Sequence, residues 1–206
     1  MSRVNVYVDG FNLYFGLKSK GWRRHFWLNL VALSHSLLKP NQHLGNVHYF
    51  TSRIRANGNN QKDMQRQTCY LEALGTLPDL QTHFGHYLEK PRVCKHCGAT
   101  WMGYEEKMTD VNIAVQMLKD AFEDRFDMAI LISGDSDLTS PVKTLRNQFP
   151  EKRIVIAFPP GRKSAELSKA AHAFFTIGEA NLRQSQLMQQ VVRRDGFVLQ
   201  RPISWT

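Results

Sequence analysis

Two short runs, Met128 to Ser133 and Ile154 to Phe158, are apolar at nearly every position. A strand with one wet face alternates polar and apolar residues. A strand covered on both faces does not, so both runs read as central strands of a parallel sheet. Arg3 to Val8 alternates and is rich in β-branched residues, which marks a further strand, ended by Asp9-Gly10. Val47 to Ile54, Leu80 to Leu88 and Ala173 to Ile177 also read as strands. Helical stretches separate them: 11–19, Leu28 to Leu38 (stopped by Pro40), and a helix from the Asn57-Gly58-Asn59-Asn60 turn to about Leu74. Strands alternating with helices imply right-handed βαβ units. The expected class is α/β: three Rossmann-like layers, with a mostly parallel sheet flanked by helices.

Residues 90–104 interrupt this rhythm with Pro91, Cys94, Cys97, Gly98 and Gly103, and read as a loop or small insertion. A helix is expected from about Glu105 to Asp124. Met108, Val111, Val115, Leu118 and Phe122 recur at three- and four-residue steps and should form one buried stripe. Ser140-Pro141 suits a helix start, with Ser as cap and Pro in the first helical position. Pro159-Pro160-Gly161 ends a strand, and Ser164 to Ala171 suggests a helix. Glu179 to about Arg194 reads as a final helix, with a tail from Asp195 that packs or pairs as an extra strand. Without a repeat, low-complexity tract or linker, residues 1–206 are expected to form one domain.

Composition narrows the classes. At 42% hydrophobic the chain is not a disordered type, and no apolar run reaches the ~20 residues of a membrane span. Met1-Ser2-Arg3 runs straight into a strand, which leaves no room for a secretory leader. Three cysteines do not make a disulfide framework, so a reducing, cytoplasmic setting is expected. The net charge of +9 fits a polyanionic partner and equally a merely basic protein. Its distribution says more. Residues 1–62 hold nine Lys or Arg and one acid, Asp9, whereas 105–137 hold nine of the 18 acids against three basic residues.

Ligands of open α/β sheets bind beyond the carboxyl ends of the strands. Asp9 ends the first strand, and Asp135 and Asp137 follow the strand that ends at Ser133. Glu106 and Asp110 are four apart, on one face of a helix start whose dipole eases their repulsion. Glu105 is an ordinary first-turn acid. In Ser133-Gly134-Asp135-Ser136-Asp137, Gly134 permits a tight turn, and alternate aspartates can aim two carboxylates to one side. The competing reading is an acidic turn bonding its own backbone. Carboxylates without a His-rich cluster select Mg²⁺ or Mn²⁺ over zinc, and phosphoryl transfer is the chemistry open to such a site.

Three motifs resemble those of the NYN domain family, a PIN-like group: Asp9-Gly-Phe-Asn12-Leu-Tyr14, Glu106-Lys-Met-Thr-Asp110-Val and Ser133-Gly-Asp135-Ser-Asp137-Leu. The late stretch Ile154–Phe158, Pro160, Ser164 and Leu167 is also similar to the family's end. The resemblance implies a PIN-like Rossmannoid fold and a metal-dependent ribonuclease acting on RNA. It implies that Asp9, Asp110, Asp135 and Asp137 hold the metal directly or through water. Asn12 would orient a water, a phosphate or Asp9, and Ser133 and Ser136 would position the loop or a phosphate. The chain departs from the family at Met108-Thr109, where a small pair, often with glycine, is common.

Cys94-Lys-His-Cys97-Gly98 is half of a zinc site, with His83, His86 and His96 as further candidates; a redox pair or incidental thiols are the rival readings. Cys69 falls in a helix and reads as core. Trp22-Arg23-Arg24-His25-Phe26-Trp27 interleaves basic and aromatic residues, which suits phosphate binding and base stacking, or a hydrophobic staple beside a charged loop. Arg53, Arg55, Arg162 and Lys163 are further phosphate candidates. The functions in competition are an RNA-cleaving hydrolase and an RNA-binding or regulatory module without turnover, with no membrane partner and a homodimer open. A phosphatase would want a second acid where Phe11 stands.

Overall fold

The computed structural model describes residues 1–54 and 60–205, with only the backbone at 87–89, 102 and 104–106. In chain order it contains β1 (Ser2–Asp9), α1 (Gly10–Ser19), α2 (Leu30–Ser36), β2 (Gln42–Thr51), α3 (Gln61–Leu74), β3 (Leu80–Phe84), β4 (His86–Val93) and β5 (Thr100–Lys107). There follow α4 (Thr109–Phe122), β6 (Met128–Ile132), α5 (Thr139–Gln148), β7 (Arg153–Phe158), α6 (Ala165–Ala170), β8 (Ala173–Thr176), α7 (Glu179–Gln184), β9 (Gln190–Val192) and β10 (Val198–Gln200). The main sheet runs β3-β2-β1-β6-β7-β8, every neighbour pair parallel. The chain builds outward from β1 to β2 and β3, then returns to β1's other side with β6. That reversal puts the topological switch point between β1 and β6.

Side-chain alternation along β1 assigns the two faces. Val4, Val6 and Val8 pack with Leu13 and Leu17 of α1, Leu30 and Leu33 of α2, Leu74 of α3 and Leu182 of α7. Tyr7 packs on the opposite face with Ile113 and Met117 of α4, Val142 of α5 and Leu167 of α6. The result is the expected three-layer α/β arrangement. Asp9 has the parity of Tyr7, so it leaves the sheet toward the α4 side.

Four local expectations change. Residues 90–104 are not a loop: with their neighbours they form the antiparallel hairpin β4–β5, a two-stranded sheet of its own. Residues 105–107 end β5, and the helix starts later, at Thr109. The stripe on α4 lies on the wrong side. Val111, Val115 and Phe122 are exposed, and the buried face is Thr109, Ile113, Met117, Asp120 and Ala121. Two polar residues sit on that buried face, so hydrophobicity alone pointed to the wrong stripe. The final helix stops at Gln184, because Val191 and Val192 favour the β9–β10 hairpin, whose turn is pinned by the Phe197 N–H donating to Asp195 at 3.2 Å. Finally, α5 begins at Thr139, continuous with a 3-10 turn over Ser136–Leu138, so Ser140 does not cap it.

The burial of Asp120 has a specific cause. Tyr7 Oη donates to its Oδ2 at 2.7 Å and Gln116 Nε2 to its Oδ1 at 2.9 Å. His48 Nε2 lies 3.1 Å from the same Oδ2, close but poorly directed, and its Nδ1 is 3.0 Å from His83 Nε2. Burial pushes the Asp120 carboxyl up, but donors from His48 and Tyr7 outweigh it and hold it below the usual value. The network ties α4 to β1 and β2. Removing its acceptor strands several buried donors, so Asp120→Ala is expected to cost on the order of 3 kcal/mol in urea unfolding, and Tyr7→Phe about 1–2 kcal/mol.

Candidate active site

Val8 pairs with Ile132 across β1 and β6, so Asp9 and Ser133 leave the sheet side by side at the switch point. Asp9 caps α1: its Oδ1 accepts the Asn12 N–H at 3.0 Å, and its Oδ2 accepts Asn12 Nδ2 at 2.7 Å and the Ser133 hydroxyl at 2.8 Å. The Ser133 oxygen in turn accepts the Asp135 N–H at 3.0 Å. Gly134 N–H donates to Asn12 Oδ1 at 3.3 Å. A Cβ on Gly134 would lie 2.9 Å from that of Arg162, so the loop can fold inward only with glycine there.

The third acid arrives from the other side. Asp110 lies in the first turn of α4, where the helix dipole favours negative charge. Carboxylate oxygens of Asp9, Asp110 and Asp135 all lie within 4.8 Å of one another. Two ligands across a hard cation at about 2.0–2.6 Å each are at most about 5.2 Å apart, so the three oxygens fit around one ion. Among the described residues no Lys or Arg forms an ion pair with Asp9 or Asp135. Asp9 is 2% exposed, and burial raises its pKa above the ordinary carboxylate value; Asn12 and Ser133 donate against that rise, and the nearby Asp135 adds to it. An all-oxygen set at a buried acid is the donor chemistry of Mg²⁺ or Mn²⁺.

With this geometry in view, comparison with known proteins becomes informative. The NYN domain family model matches residues 3–178. The chain belongs to the NYN domain family. It is also 26% identical over 242 aligned positions to 6-hydroxy-3-succinoylpyridine 3-monooxygenase HspA of Pseudomonas putida, covering 98% of this chain and 75% of that protein. A crystal structure of a Vibrio parahaemolyticus protein of unknown function matches at TM-score 0.54 and 18% identity, covering 90% of this chain and 96% of that one, and shows a shared fold.

Around this NYN acid cluster the other candidate residues sort by position. Asp137 is exposed and stands outside the three-acid group; its N–H donates to Asp135 Oδ1 at 3.0 Å, so the second loop aspartate faces outward. Ser133 is fully buried and occupied by Asp9, so no phosphate reaches it, whereas Ser136 is exposed. Arg162 lies against Gly134, with its guanidinium 5.9 Å from the Phe15 ring, and Lys163 is over Phe174 at 5.2 Å. Arg53 stacks over Phe84 at 4.8 Å, and Arg55 lies outside the described residues. Arg24 is paired with Glu179 at 2.6 Å, while Arg23 is exposed. Phe26 and Trp27 are buried, so they belong to the core and do not stack on bases. No described helix is long and apolar enough to cross a membrane.

A cavity of about 560 Å³ runs along α1, away from the acids, and was not visible beforehand. Tyr14, Phe26, Tyr49, Tyr70 and Trp205 give it aromatic walls, and Lys18, Arg23 and Arg66 add positive charge. Lys18 sits 5.8 Å from both the Tyr14 and Phe15 rings. The available signal was Tyr14-Phe15-x-x-Lys18, polar and aromatic residues on the outer side of a helix that begins at a functional acid.

One backbone feature fixes where Asp110 sits. Met108, the residue before α4, adopts φ 77°, a left-handed conformation that side chains disfavour. This is where glycine is common in the NYN motif. Met108→Gly is expected to stabilise the protein by about 0.5–1 kcal/mol, and Met108→Val to destabilise it by about 1 kcal/mol, in chemical denaturation. The raised pKa of Asp9 predicts a second effect. Without a cation, its stabilising share is present while the carboxyl is protonated and lost as pH rises through the raised value. Mn²⁺ should therefore raise the melting temperature by several degrees near pH 7, about 2–4 °C for each kcal/mol of binding, and by far less near pH 4. Asp9→Asn should remove the pH-dependent part.

Proposed function

We propose that this NYN protein is a divalent-metal-dependent ribonuclease that hydrolyses RNA phosphodiester bonds at the Asp9, Asp110 and Asp135 cluster. The observation that carries the reading is the meeting of three carboxylates from three separate stretches at the switch point of a basic chain. Mg²⁺ or Mn²⁺ at this position supplies water activation and charge neutralisation for in-line attack on phosphorus. Asn12 and Ser133 hold both oxygens of Asp9 in one orientation, so the acid meets a cation without rearranging. Arg162 and Lys163 flank the loop and can take phosphates on either side of the cut, with Arg53 and Ser136 further along the rim. The α1 cavity, with aromatic walls and Arg23, Lys18 and Arg66, suits an unpaired base and its phosphate. A pure binding module gains nothing from negative charge gathered where phosphates sit.

The named activity of the Pseudomonas putida relative supports a second reading, hydroxylation of an aromatic heterocycle held in the α1 cavity. Oxygen consumption with that relative's pyridine substrate and a reduced nicotinamide tests it directly.

Cleavage of end-labelled single-stranded RNA is expected with Mn²⁺ or Mg²⁺ and is expected to stop with EDTA. Asp9→Asn, Asp110→Asn and Asp135→Asn should each lower the rate at least about 10²-fold, while the exposed Asp137→Asn should lower it less than about tenfold. RNA binding without metal-dependent cutting by the parent protein would leave the inactive module as the reading.

A further inference from the structure

The tip of the β4–β5 hairpin carries a sulfur pair that neither the core nor the acid cluster uses. The Cys94 N–H donates to Ala99 O at 2.8 Å, and the Gly98 N–H donates to Cys94 O at 2.9 Å, so the tip closes into a tight loop. Gly98 has φ 73°, a conformation glycine adopts without strain. The backbone N–H groups of Cys97 and His96 point at the Cys94 sulfur, and the Cys97 thiol lies against it; these donors hold the Cys94 thiol below its ordinary pKa. Neither cysteine is in a disulfide, and Cys97 is exposed.

Two sulfurs in a C-x-x-C turn, with amide donors aimed at the first, form one half of a tetrahedral zinc site. Zinc needs four ligands, and hydrogen bonds to its sulfurs are the outer support that such sites carry. Among the described residues, no third Cys, His, Asp or Glu joins this pair. His83 is engaged by His48 at 3.0 Å, and His86 sits at the opposite end of the hairpin, across from Lys107. The missing ligands must come from outside the chain. A projecting tip meets an identical tip readily, because a two-fold contact brings the same residues from each side.

We propose that Cys94 and Cys97 bind zinc together with the same two residues of a second copy of this chain, four thiolates closing one tetrahedral centre between two hairpin tips. Binding releases the thiol protons to solvent and involves no change of oxidation state. The proposal is independent of what the acid cluster does.

The test is zinc titration of the reduced full chain, with metal content and mass in solution measured together. One zinc per two chains, with mass doubling on zinc addition and reverting with chelator, is the expected result. Cys94→Ser and Cys97→Ser should abolish both, with unchanged circular dichroism because the tip lies outside the core. Replacing zinc by Co²⁺ should give the intense absorption of tetrahedral cobalt thiolate. His96→Ala should leave stoichiometry and spectrum unaltered. One zinc per chain on a monomer would overturn the bridging, and no zinc uptake by the reduced parent would overturn the site. RNA cleavage with Mn²⁺ should persist in Cys94→Ser, so loss of zinc and loss of the nuclease reading are separate outcomes.

Discussion

The structure turns on holding like charges together. Three carboxylates with oxygens within 4.8 Å of one another repel by on the order of 3 kcal/mol per ionised pair at an effective dielectric of about 20. One of them, Asp9, is also withdrawn from water. Nothing in the sheet itself favours this. It persists because each acid is fixed by a separate rigid device. Asp9 is gripped by Asn12 and Ser133, Asp135 is set by the backbone of the loop behind Ser133, and Asp110 rides on the first turn of a packed helix. Rigid positioning of repelling groups is itself a stored preference for a cation, since a cation is what converts the repulsion into attraction.

The fold supplies those devices through topology. Only where strand order reverses do two adjacent parallel strands send their following loops apart, leaving a crevice between them. β1 and β6 are that pair, and their register puts Asp9 and Ser133 level. The third device depends on α4 keeping its place over β1. The Tyr7–Asp120–His48 network does this from the far end of the helix, ten residues from Asp110. A polar network is a costly way to fasten a helix, yet it fixes register better than apolar contacts, because sliding by one residue would leave every donor unmatched.

The difference between what sequence revealed and what it hid follows from the same logic. Parallel central strands were legible at Met128–Ile132 and Arg153–Phe158 because burial on both faces removes alternation. The acid positions were legible because strand ends and Gly134 mark the rim. The α4 face was misread because Asp120 and Thr109 are buried for polar reasons, and a hydrophobic count assigns them outward. The β4–β5 hairpin was hidden because its strands contain Pro91 and Gly103 and pack against no helix, so neither periodicity nor composition marks them. Asp137 could not be told from Asp135 by spacing: the 3-10 turn over Ser136–Leu138 swings it outward, and that turn forms only once Asp135 accepts the Asp137 N–H. The stacking role of Phe26 and Trp27 was lost to the core, which the C-terminal Trp205 completes from 178 residues away in the case of Trp27.

Helix α1 joins the two recognition elements. Its N-terminus is capped by Asp9, and its outer side presents Tyr14, Phe15 and Lys18 to the cavity and to Arg162. A ligand seated in the cavity therefore presses on the helix whose first turn donates to Asp9. Because that helix is only ten residues long and rests on β2, it transmits position as a rigid body. The acid cluster and the cavity are thus two sides of one wall, and the same wall suits a polymer that places a base on one side and a phosphate on the other better than it suits a small molecule that fills the cavity alone.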